Sequence, residues 1–341
     1  MKLIELHILQ SFPVSCLNRD DVGSPKTAVF GGVQRARLSS QCLKRAARTV
    51  ARELAPNFQG IRSRFLKGPF TDALKAAGLD ETKAAEQSLA ICKIFSTQDK
   101  KHEAQVTTAV YLSPAEIKQI AKAVVDGKSP KDAVKKVDRL DAADIALFGR
   151  MVANDATLNV EGASMFSHAL SSHKASNDID FYSAVDDLKG DSEDAGAGMI
   201  GTLEFTSATY YRYTAINLDL LFDNSHLGKL NADERKAVLD AFIRATLMAV
   251  PGARKNSMNA ATLPFEVLGI LKEKGQPIQL INAFETPVTS NGKGLAESSL
   301  AALKNEHDKL KRVWGIQTTV ETWLTQDGLE TFITKLIGHV Q

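Results

Sequence analysis

Hydrophobic positions along the chain change period several times, and each change marks a different element. Ile4, Leu6 and Ile8 alternate with Glu5 and His7 until Leu9 interrupts them, which predicts a strand at the start of the chain. Between Ser11 and Ser40 the alternation is lost. Pro13, Gly23, Pro25 and the pair Gly31-Gly32 stand among scattered Arg and Lys, so a long irregular loop is expected, of the kind that usually carries function. The period then becomes helical: Leu43, Ala46, Ala47, Val50 and Leu54 form an apolar stripe behind Ser39 or Ser40 as the cap, and the helix runs toward Pro56. Lys44, Arg48 and Arg52 recur every four residues on another face with Arg45 beside them, a basic stripe expected to be exposed.

From about 57 to 172 the chain is Ala-rich, Lys-rich and helix-biased, which reads as an inserted helical subdomain. Residues 189–198 are small, acidic and glycine-rich, hence flexible by composition. Two β-like runs follow, Ile200 to Thr206 and Thr209 to Leu218, the second with Tyr210, Tyr211 and Tyr213; a hairpin with a mobile arm is expected. Asn231 with Glu234 forms a capping-box pattern, and Val238, Leu239, Phe242, Ile243 and Leu247 give the helix behind it an apolar face before Pro251-Gly252. A strand at Leu263 to Leu271 and helical segments at about 296–313 and 319–336 complete the chain. Without the insertion the order is strand, helix, strand, strand, helix, strand. That is the α+β plan of a ferredoxin-like or RRM-like palm, spanning 1–56 and 173–341 and interrupted by 57–172. The first strand offers no Phe, Tyr or Trp, so the aromatic RNP signature of a standard RRM is absent, and RNA binding on this plan would use other surfaces.

Composition narrows the picture. With 341 residues, 44 % hydrophobic, the chain can fill one large core or two smaller ones. No run of about 18 uncharged apolar residues occurs, and charge interrupts the apolar start MKLIELHILQ; a cytoplasmic protein without membrane partners is expected. Cys16, Cys42 and Cys92 are widely spaced, which suggests buried thiols rather than a disulfide or zinc framework. The net charge of +2 conceals an asymmetry: residues 1–70 carry 12 Lys and Arg against 4 Asp and Glu, while the remainder holds 30 against 36. Basic character gathered at one end of an otherwise acidic chain points to a polyanion.

Catalytic signatures are missing. There is no G-x-G-x-x-G, P-loop, HExxH or G-x-S-x-G. Asp20-Asp21 could hold a divalent ion, but no further carboxylate lies in that loop, and the spacing of His168 and His173 does not suit a helical zinc pair; neither metal nor cofactor is expected. The segment from Arg19 to Arg52 differs in kind. Backbone groups of Gly31-Gly32, the hydroxyls of Ser39 and Ser40, the amide of Gln41, the positive end of the helix, and Lys44, Arg45 and Arg48 all favour phosphate. The competing reading is a capped surface helix with solvated charges.

The segment SCLNRDDVGSPKTAVFGGVQRARLSSQCLKRAAR closely resembles the N-terminal signature of the repeated backbone subunit (CasC type) of type I-E CRISPR Cascade complexes. Further blocks match in the family's order: GRM at 149–151, SHALSSHK with NDIDFYSAVDDL between 167 and 188, YYRYTAINL, VPGA and NAFE. The stretch from 57 to about 148 and the last fifty residues match little. The resemblance implies a right-hand-like molecule with an RRM-like palm, helical fingers and a β-hairpin thumb at about 184–210. It also implies that copies stack head to tail on a CRISPR guide RNA with other Cascade subunits, for pairing with target DNA in antiviral defence. The family's contacts to the RNA backbone fall on Arg19, Lys26, Ser39, Gln41, Lys44 and Arg48, with Ser40 and Arg45 in the same block. Its wedge residues fall on Met151, Phe181 and Ile200, beside Tyr182 and Val185, and its basic DNA-facing finger falls on Lys131, Lys135 and Lys136. After NAFE the family's lysines are replaced by Thr286, Thr289 and Asn291, leaving Lys293. The implied role is a non-catalytic scaffold; the alternative is a backbone subunit that also cuts RNA through Asp20 or Asp21, as in type III complexes.

Overall fold

A computed structural model describes residues 1–102, 104–135, 137–184, 199–290 and 292–340, without the side chains of Ala184, Met199 and Ile200. The alternating start forms β1 (Leu3–Ser15), which runs past Leu9 and bends at an irregularity between Phe12 and Ser15, where Pro13 lies. The expected loop from Ser11 to Ser40 is instead the end of β1, a short crossover, and a hairpin of β2 (Thr27–Phe30) and β3 (Val33–Leu38). Gly31 and Gly32 close it at φ +59° and +72°, the left-handed conformation that a two-residue hairpin turn requires. A β-carbon on Gly31 would collide with the Glu285 carbonyl, so this pair serves a tight turn against a neighbouring segment.

Helix α1 (Ser40–Leu54) follows. The insertion contains β4 (Ile61–Ser63), α2 (Lys67–Ala76), α3 (Glu81–Phe95), β5 (Val110–Leu112), α4 (Pro114–Val125), α5 (Pro130–Ala133) and α6 (Ala143–Phe148). Phe70, Leu74, Ile91, Phe95, Leu112, Ile120 and Leu158 give it a core of its own. The chain then returns to the main sheet through β6 (Ser164–Phe166), β7 (Ala169–Ser171), β8 (Asp178–Ala184) and β9 (Met199–Asn217). Ile200 to Thr206 and Thr209 to Leu218 are thus one continuous strand rather than two arms of a hairpin, because no turn residue separates them. The first half of β9 pairs with β8, from Asp178 opposite Phe205 to Ala184 opposite Met199. The acidic stretch 189–198, read as a mobile arm, lies outside the described residues. After α7 (Leu218–Leu221), α8 (Ala232–Met248) begins with the expected capping box. β10 (Glu266–Lys272), α9 (Leu295–Trp314), β11 (Val320–Trp323), α10 (Leu324–Asp327) and α11 (Leu329–Ile337) complete the fold, so the expected helix at 319–336 starts as an edge strand. Among the described residues no helix is long and apolar enough to cross a membrane.

The result is a mixed α/β fold around one antiparallel sheet with the path β11-β10-β1-β9-β7-β3-β2, and β6 and β8 also pairing along β9. Helices cover both faces. Ile4, Leu6 and Ile8 meet α1, α8 and α11, while Leu9, Tyr211, Tyr213 and Ile270 meet α9 and the segment around Phe284. Glu5 and His7, the polar positions of the alternation, are therefore buried under α9. Burial of such groups demands partners: the Tyr213 hydroxyl and the Ile278 amide donate to Glu5, which also pairs with Lys272. The Leu280 amide donates to the Tyr211 hydroxyl, which is also hydrogen-bonded to Nδ1 of His7 at 2.9 Å.

Arg35 is fully buried in β3. Its guanidinium donates to the carbonyls of Phe30, Ser171, Phe284 and Glu285, at 3.1, 3.0, 2.7 and 3.3 Å, and so joins the hairpin turn, β7 and the segment under α9. Arg35→Met removes every one of those donors and should cost about 3 kcal/mol or more in urea unfolding, since each stranded carbonyl carries roughly 1–3 kcal/mol.

Burial, His307 and Lys272 hold the His7 pKa well below the usual histidine value. The ring is neutral when folded and protonates when unfolded, so its contribution is complete above about pH 6.5 and is lost as pH falls. Unfolding at pH 5.5 should show this as a loss of up to about 1.4 kcal/mol per pH unit, reduced in His7→Gln.

Candidate nucleic-acid interface

Asn18 organises the basic end of the molecule. Its side-chain oxygen accepts from the Ser39 amide at 2.8 Å, and its carbonyl accepts from the Lys26 amide at 2.9 Å, so one residue ties the crossover loop to the start of α1. Asp20 closes the loop from within, its carboxylate accepting from the amides of Val22 and Ser24 at 3.1 and 2.9 Å. Arg19 bridges to Pro25, and the Arg37 amide donates to the Lys26 carbonyl. The outcome is an open groove lined by Arg19, Asp20, Asp21, Pro25, Lys26, Thr27 and Arg37. Sequence reasoning had not singled out Arg37, whose place in the groove depends on the hairpin that it read as loop.

Ser39 is the N-cap of α1 and is buried, its hydroxyl accepting from the Cys42 amide at 3.3 Å. That hydroxyl serves the helix. The first turn of α1 carries no acid, whereas α3, α4 and α8 each place Glu or Asp there, so the positive end of α1 has no carboxylate of its own in that turn. Gln41 and Arg45 are exposed and Ser40 half-buried at this end.

The stripe below it is only partly solvated, with Lys44 and Arg48 half-buried and Arg52 exposed. Lys44 is half-buried with its amine 5.7 Å from the Phe166 ring centre, and burial lowers its pKa. The Arg48 guanidinium lies 5.1 Å over Tyr111 with Nε enclosed, and Arg52 stands 3.9 Å from the buried Asp144, whose pKa burial raises. Tyr111 donates to Asp144 at 2.7 Å. Lys44, Arg48 and Arg52 therefore lock α1 to β6 and to the insertion, contacts that helical periodicity cannot foresee.

Met151 is 77 % exposed because its neighbour is fixed. Arg150 is buried, donates to both Glu116 oxygens at 2.8 and 2.9 Å and to the carbonyls of Leu158 and Tyr111, and leaves Met151 at the surface. On β8, Phe181 is 65 % exposed and Ile179 shares its face, while Tyr182 lies across Gly201 of β9. The Ile200 side chain and Val185 lie outside the described residues. Lys131 and Lys135 line a shallow groove with Lys93, Asn154 and Thr157, Lys135 pairing with Asp132 at 3.4 Å; Lys136 is outside the described residues. Thr286, Thr289 and Lys293 are exposed, and Asn291 is undescribed. His168 and His173 do not converge: the first meets Arg37, and the second donates to the Lys174 carbonyl and accepts from the Thr209 amide.

Replacing Arg48 by Ala removes a cation stacked on Tyr111 and should lower unfolding stability by about 1–2 kcal/mol. Arg45→Ala, exposed on the next position around the helix, should change it by less than about 0.5 kcal/mol in the same measurement.

The CT1975-like protein family matches residues 4–336. A chain of a solved CRISPR RNA-guided surveillance complex (pre-nicking) is 28 % identical, with a TM-score of 0.79 over 93 % of this chain and 90 % of that one. A chain of another CRISPR RNA-guided surveillance complex is 27 % identical, with a TM-score of 0.60 over 94 % and 88 %. No curated protein matches.

Proposed function

The chain belongs to the CT1975-like family, as a Cascade-type backbone subunit, and from that premise we propose that it holds a CRISPR guide RNA by its phosphates in a type I-E surveillance complex. The observation that carries the reading is the convergence of Arg19, Lys26 and Arg37 on one groove beside the acid-free start of α1, with Gln41 and Arg45 exposed there. Such a set reads charge and spacing rather than bases, so sequence recognition is left to pairing by the guide. Lys44 and Arg48 support the site by holding α1 in place.

The order β10-β1-β9-β7, with α1 and α8 on one face, supports an RRM-like palm. The β8–β9 pair, carrying Ile179 and Phe181 outward, supports a thumb that unstacks the guide together with Met151 and Ile200. Head-to-tail copies would then expose short segments of guide to target DNA, which Lys131, Lys135 and Lys136 would meet. The scaffold is non-catalytic and cytoplasmic in this reading. Asp20 supports that view, because its carboxylate is engaged in closing its own loop.

Lys26→Ala and Arg45→Ala should weaken RNA binding about equally for all sequences, and each should reduce the salt slope of log K by about 0.7. Unchanged slopes would remove these residues from the interface. Labelled RNA incubated with the assembled protein and Mg²⁺ or Mn²⁺ should remain intact; periodic cleavage abolished in Asp21→Asn would favour the cutting alternative.

A further inference from the structure

We propose that His168 and Arg37 form a proton-coupled seat for one phosphodiester of the bound strand, so that RNA binding draws a proton onto His168. The inference rests on the phosphate-binding reading above and adds a ligand to it. His168 occupies the two-residue link between β6 and β7, and Ser167 before it is held by the hydrogen bond its amide donates to the Tyr213 carbonyl at 3.1 Å. Arg37 is equally fixed: Nε donates to the Thr27 carbonyl at 3.0 Å, and a terminal nitrogen donates to Nδ1 of His168 at 3.3 Å. A guanidinium has no acceptor, so Nδ1 must be bare and the proton must sit on Nε2. The free protein thus holds a neutral, exposed imidazole against Arg37, which lines the groove.

The charged groups that face the ring are Arg37 from β3 and Lys26 from the crossover, both cationic, and among the described residues no carboxylate pairs with it. Partial burial and those two cations lower its pKa. A phosphate settling against Arg37 reverses this balance, because the anion neutralises the repulsion and accepts hydrogen bonds from a doubly protonated ring. Protonation of Nδ1 breaks the bond to Arg37 and releases that N–H for the same phosphate. Lys26 links the pair to the rest of the track, since its carbonyl accepts from the Arg37 amide and its own amide donates to the carbonyl of Asn18, whose side chain accepts from the Ser39 amide at the cap of α1. By linkage, affinity rises as pH falls through the bound-state pKa and levels off below the free-state value.

The test is calorimetry of the full chain with a single-stranded RNA oligonucleotide in buffers of different ionisation enthalpy, near pH 6.5 and at pH 8. Wild type should take up a fraction of a proton per bound subunit at the lower pH, and its affinity gain from pH 8 to 6 should exceed that of His168→Gln by up to about tenfold per unit of pKa shift. His168→Gln keeps an acceptor for Arg37 but cannot titrate, so the extra proton uptake and the extra gain in affinity at low pH should both be lost. Proton NMR gives a second readout: the His168 ring signal, assigned by its loss in His168→Gln, should titrate at higher pH with RNA present. Equal proton uptake in both proteins, or an unmoved His168 titration, overturns the proposal while leaving phosphate binding intact. Failure of wild type to bind RNA at any pH overturns both.

Discussion

The architecture of the basic end depends on the buried guanidinium of Arg35. Arginine stays protonated at any working pH, so placing it in the interior is tolerable only where its donors are met. Here four backbone carbonyls meet them, and they come from three separate parts of the chain. The hairpin turn is thereby drawn onto the segment at Phe284 and Glu285, so closely that only glycine fits at position 31. With the hairpin fixed, Arg37 and the Lys26 carbonyl are fixed relative to it, and Asn18 passes the constraint to the cap of α1. Cations that would repel each other on a free loop are held on one rigid frame. Less backbone freedom would then remain to be lost on binding a polyanion.

The same frame divides the basic residues by task. Lys44 and Arg48 are backed by aromatic rings, and Arg52 stands beside a buried carboxylate, so they spend their charge on joining α1 to the sheet and the insertion. Arg19 and Arg45 are exposed, and Lys26 and Arg37 line the groove, where a phosphate bound as proposed would relieve the repulsion among them. A similar division holds at the GRM block. Arg150 is consumed by Glu116 and backbone carbonyls, and that anchoring is what presents Met151.

Local elements were legible because local residues cause them: the alternation of β1, the Ser39 cap of α1 and the Asn231–Glu234 box of α8 are written in neighbouring positions. The hairpin β2–β3 was hidden because Gly31-Gly32 signals a break whether or not strands flank it, and here β2 is only four residues long while β3 carries Gln34, Arg35 and Arg37. Lys44 and Arg48 were misread as exposed since their partners, Phe166 and Tyr111, lie more than sixty residues away in sequence. For the same reason the burial of Glu5 and His7 under α9 leaves no local trace. At the candidate site, charge asymmetry and the matched blocks identified Arg19, Lys26 and Arg45. They did not reveal Arg37 with His168, a contact made only when β3 and β7 pair.

The central claim, that the chain grips a single strand through phosphates without reading bases, is tested most directly by one titration series. Single-stranded RNAs of equal length and different base sequence would be bound over a range of salt concentrations. The account predicts that log K falls linearly with log salt along the same line for every sequence. Lines that separate by sequence, or affinity indifferent to salt, would contradict it.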